Sequence, residues 1–314
     1  MILMDDIRKP IYFAPMQGIT DYVYRNQYAV TFDGVEKFFT PFLRVEGGEV
    51  RKKDVVDLAK SEHLAATIPQ IIACCCDEVD IAAQLVLSQG FTHCDINFGC
   101  PFPQQTHKMR GAGILPHPDK VEEVLKAAAR FPELKFSVKM RLGNTDKTEC
   151  LAIVDILNDT PLSFVTVHPR ISKQMYSGAI DLELFAELTS KIHHPIVYNG
   201  DIATVGDINR ITTQFPDIHA IMIGRGLVAN PFLAQSYRDG KDGFDVNKYM
   251  SFIDGLMHGY LAQYDNSEFM TLDKLKTFWA YPLPGVDKKH VKSIQKSRSL
   301  AEFMTQVAIA MNNV

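Results

Sequence analysis

Short apolar runs alternate with longer amphipathic stretches along most of the chain. The runs "IYFAPM" (11–16), "KFFTPFLR" (37–44), "ATIPQIIAC" (66–74) and "HCDINFGC" (93–100) read as strands. So do "KFSVKMRL" (135–142), "FVTVHPR" (164–170), "PIVYNGDI" (195–202) and "AIMIGRG" (220–226), which makes eight. The stretches between them carry helical period. In "PDKVEEVLKAAARF" (118–131), Val121, Val124, Leu125 and Ala128 share one face, and "TVGDINRITTQF" (204–215) opens on a Thr204 cap. Eight strands, each with a following helix, within ~250 residues predict an α/β fold of the TIM (β/α)8 barrel type. A doubly wound sheet would show fewer strands and a glycine-rich fingerprint after the first, and none follows the first strand.

After the last strand the pattern changes. "YRDGKDGFD" (237–245) is polar and glycine-bearing, and the remainder is purely helical. The expected organisation is a catalytic barrel over 1–236, a linker over 237–243 and a C-terminal all-helical domain over 244–314. The composition narrows the class. The chain has 314 residues and a net charge of −4, so its surface as a whole is not built for polyanions. It lacks an 18-residue apolar run, which argues against a membrane span, and "MILMDDIRKP" is too short and acidic for a secretion signal. The six cysteines show no paired framework and read as reduced thiols of a cytoplasmic protein.

The chemistry-bearing residues cluster by position. Cys100 ends the fourth strand, Lys139 lies in the last turn of the fifth, His168 and Arg170 end the sixth, Asn199 and Gly200 the seventh, and Gly224, Arg225 and Gly226 the eighth. In a barrel of this kind the C-terminal strand ends form the active-site mouth. "IGRG" before "LVANPF" reads as a phosphate site, with glycines for close backbone approach and Arg225 for charge; outside a barrel it would equally be a tight turn. "YNGDI" reads the same way one strand earlier. Lys139 has two functional readings, a Schiff base with a carbonyl substrate or a fixed charge beside a cofactor, against simple packing of its stem. Cys100 could be a nucleophile with His168 as its base, a proton donor, or inert packing. Three adjacent cysteines, Cys74, Cys75 and Cys76, cannot easily aim three sulfurs at one ion, so no metal is expected. Cys94 reads as core, and His193 and His194 as structural or solvated.

Taken together, "APMQGITD" (14–21), "PQI" around Gln70, "DINFGCP" (95–101), "GAGIL" (111–115), "VKMRLG" (138–143), "VHPR" (167–170), "NGDI" (199–202) and "MIGRG" (222–226) resemble the tRNA-dihydrouridine synthases, in order, over about residues 10–235. "KLKTFWAY" (274–281) is a weaker match. The resemblance implies an FMN-bearing barrel with a helical RNA-holding domain and NADPH as reductant. It implies hydride delivery to C6 of a uracil and protonation of C5 by Cys100, with the base flipped into the mouth. It further implies that Ala14, Pro15 and Met16 touch the flavin ring and that Gln70 and Lys139 address its polar edge. His168 is implied beside the ring or phosphate, Asn199, Gly200, Asp201, Gly224 and Arg225 at the phosphate, and Asn97 and Arg170 at the substrate. Pro41, Pro169, Ile171 and "GILPHP" depart from the family pattern, so the base or its RNA context is open to change.

The tail fits an RNA partner. Between Lys274 and Arg298 lie seven basic residues, Lys274, Lys276, Lys288, Lys289, Lys292, Lys296 and Arg298, against one acid, Asp287. Lys288, Lys292 and Lys296 repeat at helical spacing, a stripe able to track phosphates without reading bases. Phe278, Trp279 and Tyr281 are either stacking rings or core. The readings in competition are uridine reduction in tRNA or in ribosomal RNA, another FMN-dependent barrel oxidoreductase, lysine- or thiol-based covalent catalysis on a small phosphorylated substrate, and a non-catalytic RNA-binding protein. A monomer is the expected state.

Overall fold

Proline decides how the barrel wall is segmented. The computed structural model, which describes residues 8–241 and 243–312, contains eleven strands. They are β1 (Ile11–Phe13), β2 (Val35–Phe39), β3 (Leu43–Glu46), β4 (Glu49–Val50), β5 (Thr67–Ile68) and β6 (Gln70–Ile72), then β7 (His93–Phe98), β8 (Lys135–Gly143), β9 (Leu162–Ile171), β10 (Ile196–Asn199) and β11 (Ala220–Ile223). Their order is β4-β3-β6-β7-β8-β9-β10-β11-β1-β2-β5. The runs 37–44 and 66–74, each expected as one strand, are each split, at Pro41 and at Pro69, because proline supplies no ladder N–H. The halves still pair stave to stave: Phe38 lies opposite Thr67 and Leu43 opposite Ile71. Across the breaks, Thr40 N–H donates to the Ile68 carbonyl and Gln70 N–H to Thr40 Oγ1. Eight parallel staves therefore close into the barrel the alternation predicts, with β3–β4 as an antiparallel hairpin on its rim. Pro169, one of the departures, sits inside β9 where the β8–β9 register slips between Arg141 and Gly143, a place where a missing N–H is tolerated.

Strand alternation sorts the core into two parts. Tyr12, Phe39, Ile68, Phe164, Val197, Ala220 and Met222 point inward and fill the barrel. Cys94, Ile96 and Phe98 of β7, with Val138, Met140 and Leu142 of β8, point outward into the main core under the helices. Helix Pro118–Ala128 lays Val121, Val124, Leu125 and Ala128 on that core, the face its spacing predicts. Helix Val205–Gln214 begins at Thr204, whose side chain accepts from Asp207 N–H in a capping box.

Helix Leu233–Asp239 runs through the first residues of the stretch expected as linker and closes on Gly240 at φ 72°. Residue 242 lies outside the described residues. Helices Val246–Gln263, Glu268–Phe278, Lys288–Lys296 and Leu300–Met311 follow. They join the barrel through an aromatic cluster: Phe252 packs on Tyr24, Tyr28 and Phe32 of helix Tyr22–Thr31 and its cap, and Phe278 on Tyr24. Phe278 and Trp279 are buried and are core rings. No helix among the described residues is long and apolar enough to cross a membrane.

Lys274, expected on the RNA side, is part of this joint. Its ammonium sits 2.7 Å from Asp21 Oδ2 and 2.7 Å from the Gly18 carbonyl, over the Tyr260 ring. Tyr260 Oη donates to the other Asp21 oxygen at 2.7 Å. Lys276 is likewise spent, donating to the Ser297 carbonyl. Lys274→Met should therefore destabilise the fold by about 2 kcal/mol, between the worth of an exposed and a buried pair, read as a lower urea midpoint at unchanged slope.

Candidate active site

The inward positions of β7 and β8 are polar: Asp95 and Asn97 on one, Ser137, Lys139 and Arg141 on the other. In an apolar barrel each must be satisfied. The fully buried Asp95 carboxylate accepts from Gln70 Nε2 at 2.6 Å and from Ser137 Oγ at 2.6 Å. Gln70 Oε1 accepts from Asn97 Nδ2 at 2.7 Å, and Asn97 Oδ1 accepts the N–H groups of Gly99 at 3.0 Å and Cys100 at 2.7 Å. Burial raises the Asp95 carboxyl to about 6 against the opposing donors Gln70 and Ser137 and the charge of Lys139. Gln70, expected to address a cofactor, has no exposed surface and spends its amide on this chain of bonds.

Cys100 follows β7 and lies against Phe42 and Ile72 at the barrel rim. The "GAGIL" loop folds over it: Ala112 N–H donates to the Cys100 carbonyl at 3.0 Å. Gly111, at φ 59°, is obligatory there, since a Cβ would come within 2.7 Å of both Cys100 Cβ and its carbonyl oxygen. Burial pushes the thiol up, while the Phe102 N–H, Arg141, Lys139 and Arg44 pull the other way. The group is a protonated thiol at neutral pH, suited to giving a proton and poorly suited to attack as a thiolate. His168 does not serve it as a base. Its hydrogen-bonding neighbour is Arg170 at 3.4 Å, and burial together with Arg141, Lys139, Arg170 and Arg225 holds the imidazole well below its ordinary range, hence neutral.

Lys139 is half-buried and sits in the middle of β8 rather than in its last turn, because the strand runs on to Gly143. Burial, then Arg141, lowers its amine to about 8, with Asp95 and Cys100 opposing. Among the described residues its ammonium has no hydrogen-bond partner, and Thr166, opposite it in the β8–β9 register, has a buried hydroxyl oxygen with none either. Both residues lie on the inward face of the barrel wall, and an ammonium and a hydroxyl without protein partners suit the polar edge of a ligand.

On the far side, the ends of β9, β10 and β11 meet. Arg170 grips Asp201, with Nη1 2.9 Å from Oδ1 and Nη2 on the other oxygen, and donates Nε to the Gly178 carbonyl at 3.2 Å. Arg225 reaches the same Asp201 at 3.0 Å. Arg170 foremost, then Arg225, holds the Asp201 carboxyl below the usual carboxylate range, so it stays charged. Arg170, expected at the substrate, is instead buried and committed: it fixes Asp201, which steadies Arg225. Arg225 keeps 40% of its side chain exposed, with donors to spare. Asn199 Nδ2 donates to the Met222 carbonyl at 2.8 Å. A Cβ on Gly224 would lie 3.3 Å from Met16 Sδ and 3.4 Å from Ala14 Cβ, so the Ala14-Pro15-Met16 turn and the phosphate-type glycine are direct neighbours.

Two residues at this mouth escaped the sequence reading. Arg141 donates to the Gly99 carbonyl at 3.0 Å and the Ile171 carbonyl at 3.1 Å, bracing the Cys100 loop. Tyr176 lies between Arg141 and Arg225, whose guanidinium carbons sit 5.4 and 5.1 Å from its ring centroid. Arg141 is two residues past Lys139 on the same strand face, so alternation carried its signal; Tyr176 lies in a loop and has no periodic signal. Elsewhere, Cys74, Cys75 and Glu78 place ligand atoms within 4.8 Å of one another. The cation already there is Arg110, whose Nε is 3.1 Å from Glu78, and burial with Glu78 raises Cys74 to about 11. Cys94 is core, and His194 is tied to the Leu157 carbonyl at 2.8 Å.

A closed parallel barrel with an ammonium, two guanidiniums and a protonated thiol at the C-terminal ends of its strands is a TIM-barrel enzyme in architecture. The model of the family described as dihydrouridine synthase (Dus) matches residues 12–256. A "tRNA-dihydrouridine synthase B" of Pasteurella multocida is 30% identical over 229 residues, covering 72% of this chain and 68% of that protein. A "tRNA-dihydrouridine(16) synthase" of Neisseria meningitidis is 27% identical over 245 residues, 75% of this chain and 73% of that one. Among solved structures, morphinone reductase in complex with tetrahydroNAD superposes with a TM-score of 0.54 at 10% identity, over 76% of this chain and 89% of that one, which shows the shared barrel. The chain belongs to the dihydrouridine synthase family.

Proposed function

We propose that this chain reduces uridine to 5,6-dihydrouridine in tRNA, with FMN as its flavin and NADPH as the reductant. The observation that carries the reading is a protonated thiol, Cys100, held at the same barrel mouth as an ammonium with no protein partner, Lys139. The donor set suits a flavin: Lys139 and Thr166 await a polar edge, and Arg225 with Gly224 and Gly200 suits a phosphate. Ala14, Pro15 and Met16 line the ring side, Asn199 the linker side, and Asp201 and His168 act from behind, one steadying Arg225 and the other neutral. Bound there, the flavin supplies the hydride for uracil C6.

The chain's own residues do the rest. Cys100 gives its proton to C5. Lys139 would hold a positive charge against the polar edge of the bound flavin. Asn97 has a second Nδ2 hydrogen free for the base, beyond the one given to Gln70. The Tyr176 face, flanked by two guanidiniums, suits a base taken out of its stack. Helix Lys288–Lys296, with Lys288, Lys292 and Lys296 exposed, tracks phosphates. Covalent catalysis through Cys100 is disfavoured by the protonated thiol and by a His168 turned to Arg170 instead.

The test is turnover: flavin-loaded protein, NADPH and tRNA lacking dihydrouridine should yield a uridine heavier by two hydrogens. Its rate should fall with an alkaline limb near pH 8 as Lys139, whose folded-state value is about 8, loses its proton. Absence of product from flavin-loaded protein, or borohydride trapping of a substrate on Lys139, would overturn the reading.

A further inference from the structure

The mouth has its chemistry at Cys100, and beside it on β7 lies a fully buried carboxylate, Asp95, which none of the roles above uses. Four hydrogen-bonded side chains span three staves: Ser137 on β8, Asp95 on β7, Gln70 on β6 and Asn97 on β7. Gln70 and Ser137 flank Asp95 directly, each opposite it in the pairing register. The chain ends on the backbone of the residue that gives the proton.

Its direction is not free. A carboxylate only accepts, so Gln70 must turn its Nε2 toward Asp95. That leaves Gln70 Oε1 facing Asn97, which must answer with Nδ2. Asn97 Oδ1 is then the atom left for the Gly99 and Cys100 N–H groups. A reversed amide at either position would set two donors or two acceptors face to face in a buried site, each an unmade bond with its full desolvation cost. With its pKa at about 6, Asp95 is ionised at neutral pH, the state in which it has no proton to offer.

We propose that Asp95 is a positioning residue: its acceptor-only carboxylate sets the polarity of the Gln70–Asn97 amide relay and so holds the Cys100 loop, and the free Asn97 N–H, in the orientation uridine reduction requires. This rests on Cys100 as the proton donor. The hydrogen-bonding part of the proposal stands apart from that reading and is tested apart from it.

Asp95→Leu and Asp95→Asn both remove the charge and keep the branching at Cγ, leucine being the bulkier, so any electrostatic effect on the thiol or on Lys139 is common to the two. They differ in hydrogen bonding. In Asp95→Asn the new amide can still accept from Gln70 through its oxygen while its nitrogen donates to Ser137, whose hydroxyl works in either sense. Asp95→Leu leaves the Gln70 amide undirected. The readout is iodoacetamide labelling of Cys100 in the flavin-loaded full chain at fixed pH, quantified by peptide mass spectrometry. Loosening the loop in Asp95→Leu should raise the labelling rate about fivefold or more, and Asp95→Asn should return it to within about twofold of the native rate. The same pattern should appear in turnover as a loss of kcat at nearly constant KM in the leucine variant, recovered in the asparagine variant. If Asp95→Leu does not fold, Gln70→Leu interrupts the relay one step later with Asp95 intact and should label as Asp95→Leu was expected to. Native-like labelling in Asp95→Leu or Gln70→Leu, or equal acceleration in both Asp95 variants, overturns the proposal. Retained uridine reduction in Cys100→Ala would instead sink the proton-donor reading and leave the labelling result where it stood.

Discussion

Cys100→Ala should lower dihydrouridine formation by about 10²–10⁴-fold, the usual worth of a positioned general acid. Flavin content and tRNA affinity should hold, because the flavin-side residues lie on other staves and the basic helix lies beyond the barrel. The side chain packs on Phe42 and Ile72, so truncating it to alanine leaves a small void costing about 1 kcal/mol, and the protein should remain folded. Cys100→Ser is the more informative companion. A hydroxyl fills the position and keeps the loop, but holds its proton far more tightly, so serine should restore the packing without restoring the rate. Dihydrouridine measured by mass spectrometry after a fixed reaction time checks both. Unchanged product in the alanine variant would remove Cys100 from the chemistry.

The barrel was legible because its two signals are local. Alternation of apolar and polar residues located every stave, and most of the polar exceptions fell at or just past strand ends, Lys139 in the middle of β8 excepted. What alternation could not give was the break at Pro41 and Pro69, where one stave becomes two segments that still pair across the gap. It also gave position without partner. Arg170 and Arg225 read alike in the sequence, as cations at a strand end. Only the fold shows that one is buried on Asp201 while the other keeps much of its side chain in the open. The same failure explains Lys274 and Lys276. Both belong to a basic run, but one pins the helices to Asp21 and Gly18, and the other ties two helical segments together at Ser297. A count of charges treats such lysines as free, whereas an ion pair formed across more than two hundred residues leaves no trace in the neighbouring sequence. Asp95 was quoted in "DINFGCP" and passed over for a related reason: a buried carboxylate reveals its use through the groups that donate to it, and Gln70 and Ser137 lie on different strands.

That sorting of the lysines sharpens the second large effect. Reversing Lys288, Lys292 and Lys296 to glutamate should weaken tRNA binding on the order of 10²-fold at moderate salt and reduce the slope of log affinity against log salt by about 3. All three are exposed on helix Lys288–Lys296, and none is engaged in an ion pair among the described residues. The helix should tolerate the change. Glutamate at 288 faces the positive N-terminal end beside the Asp287 cap, which offsets the unfavourable glutamate at 296, and the i,i+4 repulsion among three like charges is the same for either sign. Ile294, the buried residue that seats the helix, is untouched. Lys274→Met provides the contrast: it removes a lysine of the same run that is bound to Asp21, so it should lower stability while leaving the salt slope as it was. Binding measured by fluorescence anisotropy at several salt concentrations distinguishes the two. A triple reversal with native slope would mean that the phosphates run over another face, and a lost slope in Lys274→Met would mean that the joint with Asp21 opens when RNA arrives.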